Sequence, residues 1–507
     1  MIMISIKMKD KLDKILLFPI ILMGVYFIYR LINQSQIITH FPLDYTNDIS
    51  AYMAMLFFFA KYGYNALIQN WYNGFILFRI IQPGWYFYTL PIYLITKNIL
   101  LAAYISLISL FVIGFILLFI IGKNNKFSLI KILAFFVFFF AVATNLGNWI
   151  RLGRITELFG WISFIALAAI ILYYKNKPLD KKFPFLFIPI YFITIISHFS
   201  ETMVSQFLVL MLFLIKSKKE RYLLILYTLI GLILSSFWWL PFLLNAFKLS
   251  ISSEPTNFYI LRLLDFSPQW ILRSIASFVA PPILWFTFYY YWKFQNKSKK
   301  ELIFISPIII LSILFITRLI IFIPFLNRIY PDSHMNLYLF YGIFYFIKTP
   351  FDFYSKKIKY FIILTLILLP IFSVSINIIH TPLFKIPGQV ENETISVLQK
   401  VEGKYLIVTT PQTIETSHPA AYYSYGAIYY NISTSAGWYD AIKESYYINM
   451  INNIPIYVKN KSCKDLIKTL KNLNTTEILT YDDYCNNLRY CNLKQKVKQD
   501  HVCLYSI

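Results

Sequence analysis

Uninterrupted apolar runs constrain this chain more than any other feature of its sequence. ILLAAYISLISLFVIGFILLFII (99–121) and YFIILTLILLPIFSVSINII (360–379) both exceed the roughly 18 apolar residues that mark a bilayer-crossing helix. A helix satisfies its own backbone in lipid, so runs of this length read as spans. Of the 507 residues, 58% are hydrophobic and 14% charged, against roughly 25% charged in a soluble domain. The chain therefore reads as mainly α, a polytopic transmembrane helical bundle of about eleven spans: 15–34, 99–121, 129–147, 155–174, 184–199, 202–215, 222–246, 270–292, 302–325, 334–348 and 359–380. The basic flank MIMISIKMKDKLDK precedes a long apolar run with no small-residue cleavage site before Arg30, which indicates a retained first span.

Lysine placement sets the expected topology. Six short segments, including Lys123–Lys131, Lys175–Lys182, Lys216–Arg221, Lys293–Lys300 and Lys356–Lys359, hold nearly half of the 47 basic residues. They fall on every second connection, so the positive-inside rule puts them and the N-terminus in the cytoplasm. The formal charge of +23 is thereby explained by topology, with no nucleic-acid partner. The opposite connections (35–98, 148–154, 200–201, 247–269, 326–333 and all after 380) are expected outside a multi-pass protein of the cell membrane. Spans 184–199 and 202–215 are short, and 334–348 is marginal. The expected division is a transmembrane domain, 1–380, with a long first external loop, 35–98, and an extracytoplasmic α/β domain, 381–507.

The tail carries its own signals. Cys463, Cys485, Cys491 and Cys503 all follow the last span, and an even set confined to one small segment indicates disulfides in an oxidising space. No C-x-x-C pair occurs, which disfavours a metal site. Sequons stand at Asn392, Asn431, Asn460 and Asn474. YLIVTT (405–410) and EILTY (477–481) read as strands, and CKDLIKTLKNLN (463–474) as an amphipathic helix.

The expected external face collects the unusual residues. Asp44 and Asp48 stand in FPLDYTNDIS, with Asp48 where a helix N-cap belongs. Arg79 follows in FRIIQPGWYFY, then Arg151, Arg154 and Glu157 in WIRLGRITE. His198 and Glu201 stand in SHFSET, Trp238 in SSFWWLPF, and Arg328 with Asp332 in NRIYPDSH. Plainer roles compete: Asp48 as a cap only, the arginines snorkelling at the interface, His198 in a satisfied contact between short helices, Trp238 as an interfacial anchor. Arginines beside acids suit a lipid phosphate, since the guanidinium matches phosphate oxygens and keeps its charge in a dry site. A nearby carboxylate can take the proton of an acceptor hydroxyl. No Gly-rich phosphate loop, HExxH or GxSxG appears.

The acid at a helix start in a long first loop, followed by YGYNALIQNWYNG and QPGWYFY, resembles the GT-C superfamily of integral membrane glycosyltransferases. LGRITELFGWISFIAL, ISHFSETMVSQFLVLMLFLI and SSFWWLPFL extend the likeness. GKYLIVTT and SAGWYD resemble the branch of membrane proteins labelled 6-pyruvoyl-tetrahydropterin synthase-related, a label without pterin chemistry here. The resemblance implies an inverting transferase that takes a sugar from a polyprenyl-phosphate-linked donor to a glycan, lipid or protein acceptor. Asp48, or else Asp44, would be the base. Arg151, Arg154 and Arg328 would hold the lipid phosphate, and Arg79, Glu157, His198, Glu201 and Trp238 would line the substrate cavity. No residue set indicates a metal, and the cofactor stays open. The sequence departs from many members in lacking a clear second acid adjacent to Asp48. A lipid-linked sugar transporter and a non-catalytic GT-C-like assembly subunit are the competing functions.

Overall fold

The computed structural model of the chain describes residues 11–41, 47–246, 271–295, 297–381, 383–384, 386–409, 419–438 and 440–507. Helix α1 (Lys11–Gln34) leads into a loop that holds α2 (Asn47–Tyr62), an antiparallel hairpin of β1 (Leu67–Ile68) and β2 (Phe75–Ile76), and α3 (Gly84–Thr96). Then follow α4 (Ile99–Asn124), α5 (Leu129–Phe140), α6 (Ala143–Arg151), α7 (Ile155–Tyr174), α8 (Phe183–Ser197), α9 (Phe199–Ile215), α10 (Lys218–Leu234) and α11 (Ser236–Ala246). The helical region ends with α12 (Ile271–Phe294), α13 (Lys299–Ile316), α14 (Pro331–Lys348) and α15 (Lys356–His380).

Each expected span falls on helix, but the spans are not all straight or long. Among the described residues, α1, α4, α7 and α15 are long and apolar enough to cross a membrane alone. Two bent pairs, α5 with α6 at 56° and α10 with α11 at 72°, raise that number to six. Both bends have local causes. At the first, Asn145 donates its side-chain amide to the Phe139 carbonyl at 2.7 Å, satisfying a group the broken helix frees. At the second, Ser235 Oγ donates to the Gly231 carbonyl at 2.8 Å and Trp239 Nε1 to the Leu232 carbonyl at 2.7 Å. The run 302–325 stops being α-helical at Ile316. Arg318 is left-handed at φ 63°, and short 3-10 turns follow, so this segment ends like a helix with a left-handed C-terminal stop.

Helix α7 is the hub, with 83% of its apolar window buried. Its small residues let neighbours approach: a Cβ at Gly160 would stand 2.9 Å from Glu201 Oε2 of α9. By contrast α1 and α15 expose Val25, Ile32, Leu364 and Ile379, faces that suit lipid. They are tied together by buried Arg30, whose Nη1 donates to Asn377 Oδ1 at 3.1 Å and to the Thr381 carbonyl at 2.6 Å. At the C-terminal end of α7, Lys175 pairs with Glu301, which also accepts from Tyr345 at 3.0 Å. A helix of 20 residues spans about 30 Å, so this pair and the start of α7 lie at opposite ends of the bundle.

Beyond α15 come α16 (Gln389–Leu398), β3 (Tyr405–Val408), α17 (Pro419–Tyr425), α18 (Ser445–Lys459), α19 (Cys463–Asn472), β4 (Glu477–Tyr481), α20 (Asp483–Tyr490), β5 (Lys494–Lys498) and β6 (Val502–Ser506). The strand order is β3-β4-β6-β5, with β3 parallel to β4 and the other pairs antiparallel. Strand β5, KQKVK, is the exposed edge; its charge blunts further strand pairing and hid it from a reading based on apolar alternation. Disulfides join Cys463 to Cys491 and Cys485 to Cys503. This region grips the first loop. Thr434 N donates to the Asn70 carbonyl at 2.8 Å, Asn73 Nδ2 to the Leu473 carbonyl at 2.7 Å, and Lys404 Nζ to Asn73 Oδ1 at 2.6 Å.

Candidate functional site

The first loop and the start of α7 meet at a glycine. Gly153 is left-handed at φ +69°, and a Cβ there would lie 2.5 Å from Ile49 Cβ. Only glycine permits this approach, which brings the turn 148–154 against the first residues of α2. Asp48, the second residue of α2 rather than its cap, then faces Arg154, the residue that precedes α7. Arg154 Nε donates to Asp48 Oδ2 at 3.3 Å.

Arg154 is a shared cation. Its Nη1 also stands 3.8 Å from Glu157 Oε2 and 3.5 Å from Asp332 Oδ2, at the N-terminus of α14. The Tyr330 ring lies 5.7 Å from the guanidinium carbon. Each acid has further donors. Trp149 Nε1 reaches Glu157 Oε1 at 3.2 Å, Asn148 Nδ2 reaches Asp332 Oδ2 at 2.6 Å, and the Ser333 amide reaches Asp332 Oδ1 at 3.0 Å. The indole of Trp438, from the C-terminal region, hydrogen-bonds Asp48, and its ring packs edge-on to Tyr52 at 5.2 Å. Gly437 makes room for that indole's segment, since a Cβ there would stand 2.8 Å from the Tyr72 ring. The site is thus assembled from α2, the turn before α7, α14 and the C-terminal region.

Burial raises the Asp48 carboxyl above its ordinary 3.8, while the Arg154 charge and the hydrogen bonds from Arg154 and Trp438 pull it back. Its position in the first turn of a helix favours the charged form as well. The three acids keep Arg154 protonated against the burial that opposes its charge. The side chains of Arg154, Asp48 and Asp332 retain 29%, 21% and 17% exposure, so a ligand can reach them.

The other expected residues distribute around this centre. His198 pairs with Glu201, whose Oε1 accepts from Ser333 Oγ at 3.1 Å; Ser333 adjoins Asp332, and this second pair therefore borders the first. Arg151 is buried in the turn that supplies Asn148 and Trp149. Arg328 closes the short 3-10 turn that leads to Tyr330 and Asp332. Trp238 is buried, with Nε1 donating to the Ile81 carbonyl of the first loop at 3.0 Å, a tie between elements. Arg79 lines a separate cleft beside the β1–β2 hairpin. Asp44 lies outside the described residues. Reasoning from sequence gave no site role to Asp332, Asn148 or Trp438. Asp332 was visible as an acid in NRIYPDSH and Trp438 in SAGWYD, but nothing local ties either to a loop hundreds of residues earlier.

At the level of sequence, no protein-family model and no curated protein matches this chain. Solved structures do share its fold. The Archaeoglobus fulgidus oligosaccharyltransferase in complex with Zn and sulfate aligns at a TM-score of 0.52 and 9% identity, over 90% of this chain and 67% of that one. Its apo form aligns at 0.53 and 9%, over 90% and 69%. The archaeal oligosaccharyltransferase AglB from the same organism, in complex with an inhibitory peptide and a dolichol-phosphate, aligns at 0.53 and 8%, again over 90% and 69%. At such identities the likeness is one of fold alone: this chain shares the architecture of these oligosaccharyltransferase structures.

Proposed function

We propose that the chain is an inverting GT-C-type glycosyltransferase, of the branch its tail resembles, that moves a sugar from a polyprenyl-phosphate donor to an acceptor hydroxyl at the outer face of the cell membrane. One observation carries this reading. A reachable acid, Asp48, is fixed in the first turn of α2 by Arg154 and touched by Trp438, within a fold shared with an oligosaccharyltransferase. That a neighbour was solved with a dolichol-phosphate and a peptide favours a lipid-linked donor here.

In this mechanism the acceptor oxygen attacks the anomeric carbon as its proton passes to Asp48, and the bond from that carbon to the phosphate oxygen breaks on the opposite side. The leaving phosphate needs cations. Arg151, Arg154 and Arg328 supply them, with the exposed edge of Arg154 reaching the site. Asp44 is the alternative base. The Zn of the neighbouring structure finds no matching set among the described residues. The oxygens of Asp48, Glu157 and Asp332 already accept from Arg154, Trp438, Trp149, Asn148 and the Ser333 amide, and the central cation is a guanidinium. No step is therefore routed through a metal.

The test uses purified chain in nanodiscs with a polyprenyl-phosphate sugar and a panel of acceptors. Asp48→Asn is expected to lower transfer at least about 100-fold, the usual contribution of a positioned base, with the fold intact. Undiminished transfer by both Asp48→Asn and Asp44→Asn removes the mechanism.

A further inference from the structure

A cleft of about 340 Å³ opens where the β1–β2 hairpin, the end of α11 and the segment after Trp438 meet. Phe75, Arg79, Ile80, Asn245, Lys443 and Glu444 are among its walls. Its volume falls in the range of small-ligand sites, roughly 300–1,000 Å³. Arg79 and Lys443 face it without an ion-pair partner among the described residues. Lys443 is half-buried and stands 5.3 Å from the Tyr447 ring. Asn245 donates one amide hydrogen to the Pro241 carbonyl at 2.6 Å and offers its oxygen as an acceptor. Phe75 is buried and stacks on Trp71 at a 21° interplanar angle, so it is a fixed apolar wall.

The chain itself ties this cleft to Asp48. The segment 438–444 starts with Trp438 on Asp48, holds Tyr72 through Asp440 at 3.1 Å, and ends with Lys443 and Glu444 at the cleft. Five peptide steps separate Trp438 from Lys443, at most roughly 18 Å of extended chain. A ligand group held in the cleft therefore lies within one short oligosaccharide of the acid.

The lining selects among ligands. Two cations without an ion-pair partner among the described residues, in a partly desolvated cleft, have no use for a neutral sugar alone. Inorganic phosphate would meet the cations but also the Glu444 carboxylate, which has no proton to offer. A sugar acid satisfies the whole set: its carboxylate pairs with Arg79 and Lys443, its hydroxyls donate to Glu444 and to the Asn245 oxygen, and its C–H face lies on Phe75 and Ile80. We infer that the cleft is a subsite for an acidic sugar, of the hexuronate type, on the acceptor glycan. The assignment to the acceptor rests on the glycosyl transfer proposed above; the binding does not.

The experiment measures binding without turnover. Full-length chain in nanodiscs is titrated calorimetrically with tetragalacturonate, with a neutral galactose tetrasaccharide and with inorganic phosphate. Tetragalacturonate is expected to bind at least about tenfold more tightly than either control, the scale of one charge-assisted contact. Arg79→Ala and Lys443→Gln each remove about that factor, with unfolding temperatures used to show that they fold. Glu444→Gln lifts the repulsion, so phosphate binds that variant more tightly than the wild type. Equal affinity for the neutral tetrasaccharide, or unchanged uronate affinity in both cation variants, overturns the subsite. The titration is made with Asp48 in place and needs no turnover. Loss of the transfer mechanism therefore shows in the turnover assay alone, and loss of the subsite in the titration alone.

Discussion

At the scale of single residues, the proposed transfer turns on how Asp48 holds its proton. Burial pushes its carboxyl above 3.8, and Arg154 and Trp438 only partly offset this. A base works ionised, so kcat/KM is expected to fall on the acid side with a midpoint above that of a free aspartate; a pH–rate profile of the nanodisc enzyme checks it. The stability sign is opposite to that of an ordinary salt-bridged acid. A folded-state carboxyl raised above its unfolded value binds its proton more tightly when folded, so ionisation costs folding free energy as pH rises through it. Asp48→Asn removes that cost and is expected to leave the unfolding temperature at pH 7 unchanged or higher while transfer is lost. The guanidinium at the centre of the site, with Glu157 and Asp332 already accepting from Trp149, Asn148 and the Ser333 amide, gives a second outcome: transfer survives full chelation with EDTA. A loss on chelation that Mg²⁺ or Mn²⁺ restores contradicts the guanidinium-centred site.

At the scale of elements, the site exists because a turn and a helix start touch at Gly153. Its φ of +69° and the 2.5 Å from a hypothetical Cβ to Ile49 Cβ leave two reasons against any side chain. Gly153→Ala is expected to lower stability by about 2 kcal/mol, the scale of an overpacked position in a strained backbone, and to cut transfer by separating Arg154 from Asp48. Thermal unfolding and turnover on one preparation check both. A variant with native turnover would show that the Asp48–Arg154 contact is dispensable. This junction also explains what could be read in advance. Apolar runs revealed where helices lie, because helix in lipid needs little beyond length and hydrophobicity. The breaks at Ala141–Val142 and Ser235 come with side-chain hydrogen bonds to nearby backbone carbonyls, which no hydropathy pattern encodes. Asp48, Arg154 and Glu157 stood out as charges near span ends. Their meeting with Asp332 and Trp438 is a property of packing, set by elements far apart in the chain.

At the scale of the whole molecule, the question is whether the acid and the cysteine-bearing tail face the same side. Hydrogen bonds between the first loop and residues 404, 434 and 473, and Trp438 on Asp48, hold the two together. The bundle's other end collects Lys175, Lys216 and Lys348, where Lys216 Nζ donates to the Tyr174 carbonyl at 2.7 Å and Lys348 Nζ to Asn125 Oδ1 at 3.1 Å. If the positive-inside rule orients this chain, that end is cytoplasmic, and the disulfides Cys463–Cys491 and Cys485–Cys503 lie in the oxidising space where such bonds persist. Native lysines make the test. Lys464, Lys468, Lys471, Lys494 and Lys498 are exposed on the tail, and Lys181, Lys219, Lys300 and Lys357 at the opposite end. A membrane-impermeant amine reagent applied to right-side-out vesicles is expected to modify the first group, and the second only after the membrane is opened, as read by peptide mass spectrometry. The reverse pattern would place Asp48 with the cytoplasmic leaflet, and the donor would then have to be a lipid-linked sugar that has not crossed the bilayer. Labelling of both groups from one side would mean that the helices between them do not traverse the membrane, which contradicts a bundle organised along α7.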